Sequence, residues 1–157
     1  MLALLRDPQW QPYVVFPGEY AAPARVVHAV QPARDGARAK RPLFILLDAT
    51  WNEARKMFRK SPYLDHLPVL GLQPEQVSRY LLRRSRRDDH FCTSEVAALC
   101  LGLAGEDLAA ETLGAWLDVF THHYLRARNQ LPVAWDGDEH RRLRELGGPS
   151  IVVADAG

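Results

Sequence analysis

Residues 43–56 read LFILLDATWNEARK, and this stretch determines the fold class that we expect. Its first five residues, 43–47, form an unbroken apolar run, which is typical of a strand buried on both faces of a parallel sheet. Polar residues follow at once, and Thr50 with Glu53 has the spacing of a capping box. A helix is therefore predicted over residues 51–59, directly after a buried parallel strand.

Asp48 lies between that strand and that helix, at the carboxyl end of the strand. In open α/β sheets this edge is where ligands bind, so Asp48 is a candidate functional residue. The alternative is that Asp48 only caps a turn and Trp51 packs on the sheet, because turn residues in any strand-to-helix connection look similar. The local pattern leaves both interpretations open.

Length and composition limit the class of protein. The chain has 157 residues and is 47% hydrophobic, which suits one domain with one core. Its net charge of +1 does not by itself indicate a nucleic-acid partner. No apolar run is long enough for a bilayer or for a signal peptide, so no membrane association and a cytoplasmic location are expected. The two cysteines lack the spacing of a four-ligand zinc site, and we expect reduced thiols.

Two further strand candidates accompany the strand at 43–47. Residues 13–16 form one of them, and residues 67–72 form the other. Gly71 within the second indicates a close approach of backbone or ligand. Residues 26–30 are open to a weak strand or a short helix.

Two more helices are predicted in the second half of the chain. The first has Thr93 or Ser94 as its N-cap and ends at Gly105, and its apolar composition predicts deep burial. The second spans residues 106–128 and is amphipathic. Its predicted inner stripe consists of Leu108, Leu113, Trp116, Leu117, Phe120 and Tyr124.

The end of the chain is predicted to be peripheral to the domain. His122 and His123 have no acid or cysteine at ligand spacing, so a metal site is not predicted. Residues 130–157 are expected to form a peripheral tail, with a short basic helix near 141–144 and an added strand or loose tail at 151–153.

Two basic clusters suggest a polyanionic partner. The first lies on the helix after Asp48, where cations recur four positions apart on one side. The second comprises five arginines within residues 79–87, and an extended, arginine-rich segment with an aromatic residue suits phosphate contact. The alternative is that both are solvated surfaces, the second partly neutralised by Asp88 and Asp89. Together the clusters favour RNA. The predicted RNA-binding residues are Arg55, Lys56, Arg59, Lys60, Arg79, Arg83, Arg84, Arg86 and Arg87.

Several motifs in a fixed order carry a family resemblance. The DATW of residues 48–51, followed by EARK, resembles the D-x-T-W signature of the DTW-domain proteins. The second half of that pattern follows in order: a Leu-Pro strand at 67–68, the arginine-containing YLLRR at 80–84, and the helix start CTSE at 92–95. The resemblance covers roughly residues 10–130.

The resemblance implies an S-adenosylmethionine-dependent aminocarboxypropyltransferase that acts on uridine in tRNA. It also implies a SPOUT-like α/β fold, with a mostly parallel sheet covered by helices and a C-terminal trefoil knot around the cofactor. True knots are rare enough that no sequence pattern alone would suggest one. The knotted part would be residues 67–105 of a single domain spanning 1–157.

The implied chemistry needs no metal, because the sulfonium of the donor is a good leaving group. Uracil N3 must attack the γ-carbon of the methionine moiety, so positioning decides which carbon reacts. Asp48 is the expected catalytic residue, either as the base for the N3 proton or as a group that orients the donor's amino group. Because Leu47 and Trp51 are apolar, its carboxylate is expected to be partly desolvated. The expected cofactor-binding residues are Thr50, Trp51, Leu70, Gly71, Leu72, Cys92, Thr93 and Glu95.

One departure from the family pattern leaves alternatives open. Family members usually begin with a cysteine-rich segment and a T-N-T-type motif, and this sequence contains neither, so a fragment, a mis-assigned start or a shortened homologue is expected. A SPOUT-type methyltransferase would share the fold and the cofactor, and a non-catalytic RNA-binding module would retain only the RNA contacts. The chain contains no G-x-x-x-x-G-K-[ST] loop, which argues against a nucleotide hydrolase.

Overall fold

The computed structural model describes residues 2–31, 34–35, 38–73 and 92–147. Within these residues the strands are β1 (Trp10–Val15), β2 (Val26–Val27), β3 (Arg34–Asp35), β4 (Arg38–Ala39), β5 (Arg41–Ile45) and β6 (Val69–Leu70). The α-helices are α1 (Leu2–Arg6), α2 (Trp51–Arg59), α3 (Thr93–Leu103), α4 (Asp107–Arg128) and α5 (Asp138–Glu145). Short 3-10 helices lie at Gly18–Tyr20, Pro23–Arg25 and Pro62–Leu64.

Four strands form a parallel sheet in the order β2-β6-β1-β5, and β3 pairs with β4 in a separate antiparallel pair. The central strand β1 pairs with β5 from Trp10↔Arg41 to Val14↔Ile45. On its other side, β1 pairs with β6, and β6 in turn pairs with β2. Because all four strands are parallel, their carboxyl ends lie at one edge of the sheet. The predicted α/β class with a parallel sheet is confirmed.

Helices cover the sheet on opposite faces. Successive residues of β1 alternate in direction, so Val14 packs with Phe58 of α2 in one cluster, whereas Val15 packs with Cys100 of α3 in another. Burial raises the pKa of the Cys100 thiol to about 12, so it stays protonated and unreactive in the folded protein. Full burial of each large aliphatic side chain contributes about 1.5–3 kcal/mol, which makes these two clusters the main stabilising contacts of the sheet.

The position of β5 differs from the prediction for residues 43–47. The strand lies two residues earlier, it forms the edge of the sheet, and Ile45 is its only buried residue. The apolar run continues past the strand end, where Leu46 and Leu47 line a cavity. Ile45 packs in the cluster on one face and Phe44 in the cluster on the other, so the predicted packing on both faces is confirmed, although only Ile45 is buried at this edge position.

Helix α2 agrees with its sequence signals. It begins at Trp51 and ends at Arg59, and both halves of the predicted capping box between Thr50 and Glu53 are present. Ala54 is buried among the core residues of the sheet face, but Met57, which could also have faced inward, is exposed. The prediction is thus confirmed in its bounds and its cap.

The predicted N-cap of α3 was wrong by one residue. The cap is Cys92, whose backbone N–H donates to Oε2 of Glu95 at 3.0 Å. Capping draws the Glu95 side chain into the protein, where it is buried. Gly105 follows the helix with φ +80°, a left-handed conformation that favours glycine, and this confirms the predicted stop.

The predicted inner stripe of α4 was wrong for four of its six residues, because Leu108, Trp116, Phe120 and Tyr124 are exposed, whereas Leu113 and Leu117 are half-buried. The buried residues of this helix are small ones, namely Ala110, Gly114, Ala115 and Val119. Small side chains let α4 approach α3 and α5 closely, so the large side chains turn outward. Leu108 and Phe120 are each 65% exposed, and Tyr124 is 54% exposed.

Helix α5 packs on α4, and His140 of α5 meets His122 and His123 of α4 at their contact. Its Leu143 joins Ala115 and Val119 in a small core cluster. Beside it, Nε2 of His123 lies 2.8 Å from Nε2 of His140, so one nitrogen donates and the other accepts. Nδ1 of His122 lies 2.5 Å from Oε1 of Glu139, and the ring of Trp135 lies 4.4 Å from that of His123. No group of side chains in the described ranges has the arrangement of a metal site.

The histidine cluster predicts how stability depends on pH. Burial, followed by the nearby charges of His140 and His122, lowers the pKa of His123 below its ordinary value of 6.5. The unfolded chain therefore binds this proton more readily, and stability is expected to fall as the pH decreases below about 6.5. His123→Gln should flatten that fall, measured as the urea midpoint between about pH 7 and about pH 5. The matched variant is His66→Gln at an exposed position, and equal pH dependence in both variants would contradict the assignment.

Candidate functional site

An apolar cavity of about 890 Å³ lies where the parallel strands end. Residues after β1, β5 and β6 contribute to its wall, together with the first turns of α2 and α3. Parallel strands present their carboxyl ends at a common edge, and ligands of open α/β sheets bind there. We call this space the sheet-edge cavity. Its lining residues are Val15, Phe16, Pro17, Leu46, Leu47, Ala49, Trp51, Ala54, Leu72, Thr93 and Val96.

Asp48 joins two elements at the rim of the sheet-edge cavity. The Thr93 hydroxyl at the start of α3 donates to Oδ1 of Asp48 at 2.6 Å. This hydrogen bond links the loop after β5 to a helix 45 residues further along the chain. The Asp48 side chain is exposed, so the expected partial desolvation of its carboxylate was wrong. The neighbouring Leu47 and Trp51 turn toward the cavity and leave the carboxylate in contact with solvent.

The predicted cofactor-binding residues divide into those that line the sheet-edge cavity and those that do not. Trp51, Leu72 and Thr93 line the sheet-edge cavity. The remaining predicted residues cap helices, follow a strand or pack in the core, and none of them lines the cavity. These residues are Thr50, Leu70, Gly71, Cys92 and Glu95.

Capping accounts for three of the five. The backbone N–H of Thr50 donates to Oε2 of Glu53 at 3.1 Å, and the Thr50 hydroxyl also donates to this oxygen. These two hydrogen bonds, the side-chain one first, lower the pKa of Glu53. Cys92 and Glu95 cap α3 in the same way. Both helices therefore start at the cavity with their caps formed, and their positive dipole ends favour a negative group there.

The end of β6 contributes through Leu72. Leu70 is fully buried in the core, and the N–H of Gly71 donates to the carbonyl of Val27 at 2.9 Å. A Cβ at Gly71 would lie 3.5 Å from the backbone N of Gly18 and from the His28 ring, which is ordinary contact. Gly71 thus packs against protein on this side, and only the next residue reaches the cavity.

A group of aromatic rings lies at the boundary between the sheet-edge cavity and a second space. Phe16 stacks on Trp51, with ring centres 5.5 Å apart and planes 12° apart, and on Phe58 at 4.6 Å. Tyr20 meets Trp51 edge to face at 5.5 Å. Trp51 packs on Phe16, as expected if it only contacts the sheet. It is also 48% exposed and lines the sheet-edge cavity, as expected of a binding-site residue. We call Phe16, Tyr20 and Trp51 the aromatic wall.

The second space is a cleft of about 640 Å³ with a basic lining. Arg55, Lys56 and Arg59 of α2 contribute to it, whereas the adjacent Lys60 is exposed outside the lining. We call it the basic cleft. Its lining residues are Phe16, Tyr20, Ala21, Ala22, Arg25, Asn52, Arg55, Lys56, Phe58, Arg59 and Asp65. The other predicted RNA-binding residues, Arg79, Arg83, Arg84, Arg86 and Arg87, lie outside the described residues.

Sequence reasoning missed most of the apolar lining and all of the basic cleft outside α2. Phe16 and Pro17 directly follow β1, so the predicted strand at 13–16 already indicated that this position faces the ligand-binding edge. Leu46 and Leu47 were assigned to a strand, and Tyr20 lies on a 3-10 helix that no pattern marked.

These features define an α/β protein with an apolar ligand cavity at the carboxyl edge of a parallel sheet and a basic cleft beside it. The family model of the DTW domain matches residues 1–125, and the chain belongs to this family. The match contains all residues that line the two spaces and ends within α4. No solved structure matches the chain. Family membership supports a role in tRNA modification. Among the described helices, none has the length and apolar character needed to cross a membrane.

Proposed function

We propose that this protein transfers the 3-amino-3-carboxypropyl group of S-adenosylmethionine to N3 of a uridine in tRNA. The observation that carries the proposal is the position of the D-x-T-W segment. It lies at the carboxyl edge of the sheet, where Trp51 belongs to the apolar cavity and Asn52 to the basic cleft. One segment thus adjoins a space suited to a small apolar ligand and a space suited to a polyanion.

The donor fits the sheet-edge cavity by size and polarity. Small-molecule sites enclose about 300–1,000 Å³ and are mostly apolar, as this cavity is. The adenosine and the methyl group would contact Leu46, Leu47 and Leu72, while the donor carboxylate would lie near the N-termini of α2 and α3. In this proposal the fold is SPOUT-like, and residues 67–105 form a trefoil knot around the donor. Residues 74–91 of that segment lie outside the described residues.

The reaction is a direct displacement on the γ-carbon of the donor. The N3 electron pair of uracil forms the new C–N bond, the C–S bond breaks, and its electrons convert the sulfonium to the neutral thioether methylthioadenosine. The N3 proton must leave, and in this proposal Asp48 accepts it or holds the donor's ammonium group. The Thr93 hydroxyl occupies Oδ1 of Asp48, so Oδ2 is the oxygen that would perform either role.

The small-molecule product tests the proposal. After incubation with S-adenosylmethionine and unmodified tRNA, methylthioadenosine should accumulate in proportion to modified tRNA. Formation of S-adenosylhomocysteine would instead show methyl transfer. An unconsumed donor together with tRNA binding would indicate a non-catalytic RNA-binding module.

RNA binding by α2 predicts a change in salt dependence. Arg55 and Arg59 are exposed, lie one helical turn apart and both line the basic cleft. Each lost phosphate contact should reduce the slope of log K against log salt by about 0.7 to 0.9, so Arg55→Gln combined with Arg59→Gln should lower it by twice that amount. The matched control combines Arg128→Gln and Arg144→Gln, which change exposed arginines on α4 and α5. Binding titrations with tRNA at several salt concentrations measure the slopes, and a wild-type slope in the α2 variant would place the RNA elsewhere.

A further inference from the structure

We infer that the basic cleft holds the uridine nucleotide that is modified, with the uracil ring against Tyr20 and a flanking phosphate at Arg55 and Arg59. The inference rests on the proposed function and specifies where the acceptor enters. It assigns a binding role to Tyr20 and to Asn52, which the sequence patterns left without one.

The basic cleft and the sheet-edge cavity are adjacent. In a direct displacement the nucleophile must reach the donor, so the acceptor site has to adjoin the donor cavity. Phe16 lines both spaces, and Tyr20 of the basic cleft contacts Trp51 of the sheet-edge cavity with ring centres 5.5 Å apart. An acceptor base on the Tyr20 side therefore lies beside the donor cavity, at the boundary that Phe16 and Trp51 form.

The basic cleft combines a partly exposed aromatic ring with several cations. Tyr20 is 38% exposed although it is a large aromatic residue, and the guanidinium of Arg55 lies 4.9 Å from its ring centre. Splayed-out RNA bases bind by stacking on aromatic rings or guanidinium planes while basic side chains hold the backbone. Lys56 and Arg59 line the same cleft, and Asp65 is the single acid among its lining residues. A ligand with one flat ring and a negative charge fits this lining.

The polar side chains of the basic cleft differ in what they contact within the protein. Arg25 also lines the cleft, but it donates to the carbonyls of Leu64 at 2.7 Å and Leu67 at 3.0 Å, so it supports the wall. Asn52 is exposed at the start of α2 and offers an amide donor to a uracil carbonyl. The cleft therefore contains a stacking ring, a base-edge donor and phosphate-binding cations.

Photo-crosslinking tests the location without requiring catalysis. tRNA transcribed with 4-thiouridine in place of uridine is bound to the full chain and irradiated, and mass spectrometry identifies the crosslinked residues. Crosslinks are expected at Tyr20 or within α2. Crosslinks confined to α4 and α5, or absent from both Tyr20 and α2, would overturn the inference. This readout does not depend on transfer, so it separates failure of the inference from failure of the proposed function.

A variant pair tests the stacking role. Tyr20→Leu should raise the KM for tRNA about tenfold or more, because one base-stacking contact is lost. Its response to S-adenosylmethionine in thermal unfolding should stay that of the wild type. Tyr63→Leu changes an equally exposed tyrosine outside the cleft and is the matched control. Tyr20→Phe retains the ring and should recover most of the affinity. A wild-type KM in Tyr20→Leu, or loss of its response to the donor, would overturn the inference.

Discussion

Asp48→Asn is expected to lower the single-turnover transfer rate by about 10²-fold or more, the usual scale for loss of a general base. Asparagine retains the side-chain shape and an Oδ1 that accepts the Thr93 hydroxyl, so the link between the loop and α3 should persist. Only the negative charge is removed. Rapid-quench assays with labelled donor and saturating tRNA measure the rate, while thermal unfolding with S-adenosylmethionine verifies that donor binding remains.

The same substitution separates the two interpretations of Asp48. Asparagine caps turns and helices as well as aspartate does, so a residue that only shapes the loop would leave the rate unchanged. Asp136→Asn removes one exposed carboxylate before α5 and controls for the general loss of charge. Equal rates in wild type and Asp48→Asn would show that Asp48 is not the catalytic residue.

Ala49→Phe is expected to abolish the stabilisation of the protein by S-adenosylmethionine. In the wild type, donor at about 100 times its Kd should stabilise the fold by about 2.7 kcal/mol, which corresponds to roughly 5 to 10 °C in Tm. Ala49 lines the sheet-edge cavity and is exposed at its rim, so the added ring can enter the cavity without displacing core residues. Differential scanning fluorimetry with and without the donor measures the shift.

The control for this prediction is a substitution of the same size elsewhere. Ala127→Phe lies on the exposed surface of α4 and should keep the full shift. The Tm of Ala49→Phe without donor should remain near that of the wild type, which verifies that the fold is intact. A full donor response in Ala49→Phe would place the donor outside the sheet-edge cavity.

The parts of the fold that could be predicted depend on local rules. The capping box of Thr50 and Glu53 sets the start of α2 through hydrogen bonds within four residues, and Gly105 ends α3 through its left-handed backbone. An apolar run followed by a capped helix indicated a parallel strand, and that class is confirmed. Each of these signals lies within a short segment, so one sequence is sufficient to read it.

Features that depend on tertiary packing could be predicted less well from the sequence. An amphipathic pattern identifies an apolar face, but the inward face of α4 is set by how closely its neighbours approach, which selects Ala115 and Val119 over Phe120. Likewise, Leu46 and Leu47 are as apolar as core residues, and only the sheet shows that they line a cavity. The bond between Asp48 and Thr93 joins segments far apart in sequence, so no local pattern contains it.

The mass of the modified nucleoside is the most direct test of the proposed group transfer. Unmodified tRNA is incubated with the protein and S-adenosylmethionine, digested to nucleosides and analysed by liquid chromatography with mass spectrometry. We predict a new uridine derivative that is heavier by one aminocarboxypropyl group and absent when the donor is omitted. A uridine heavier by one methyl group, or tRNA whose nucleosides are unchanged by a protein that binds both substrates, would contradict it.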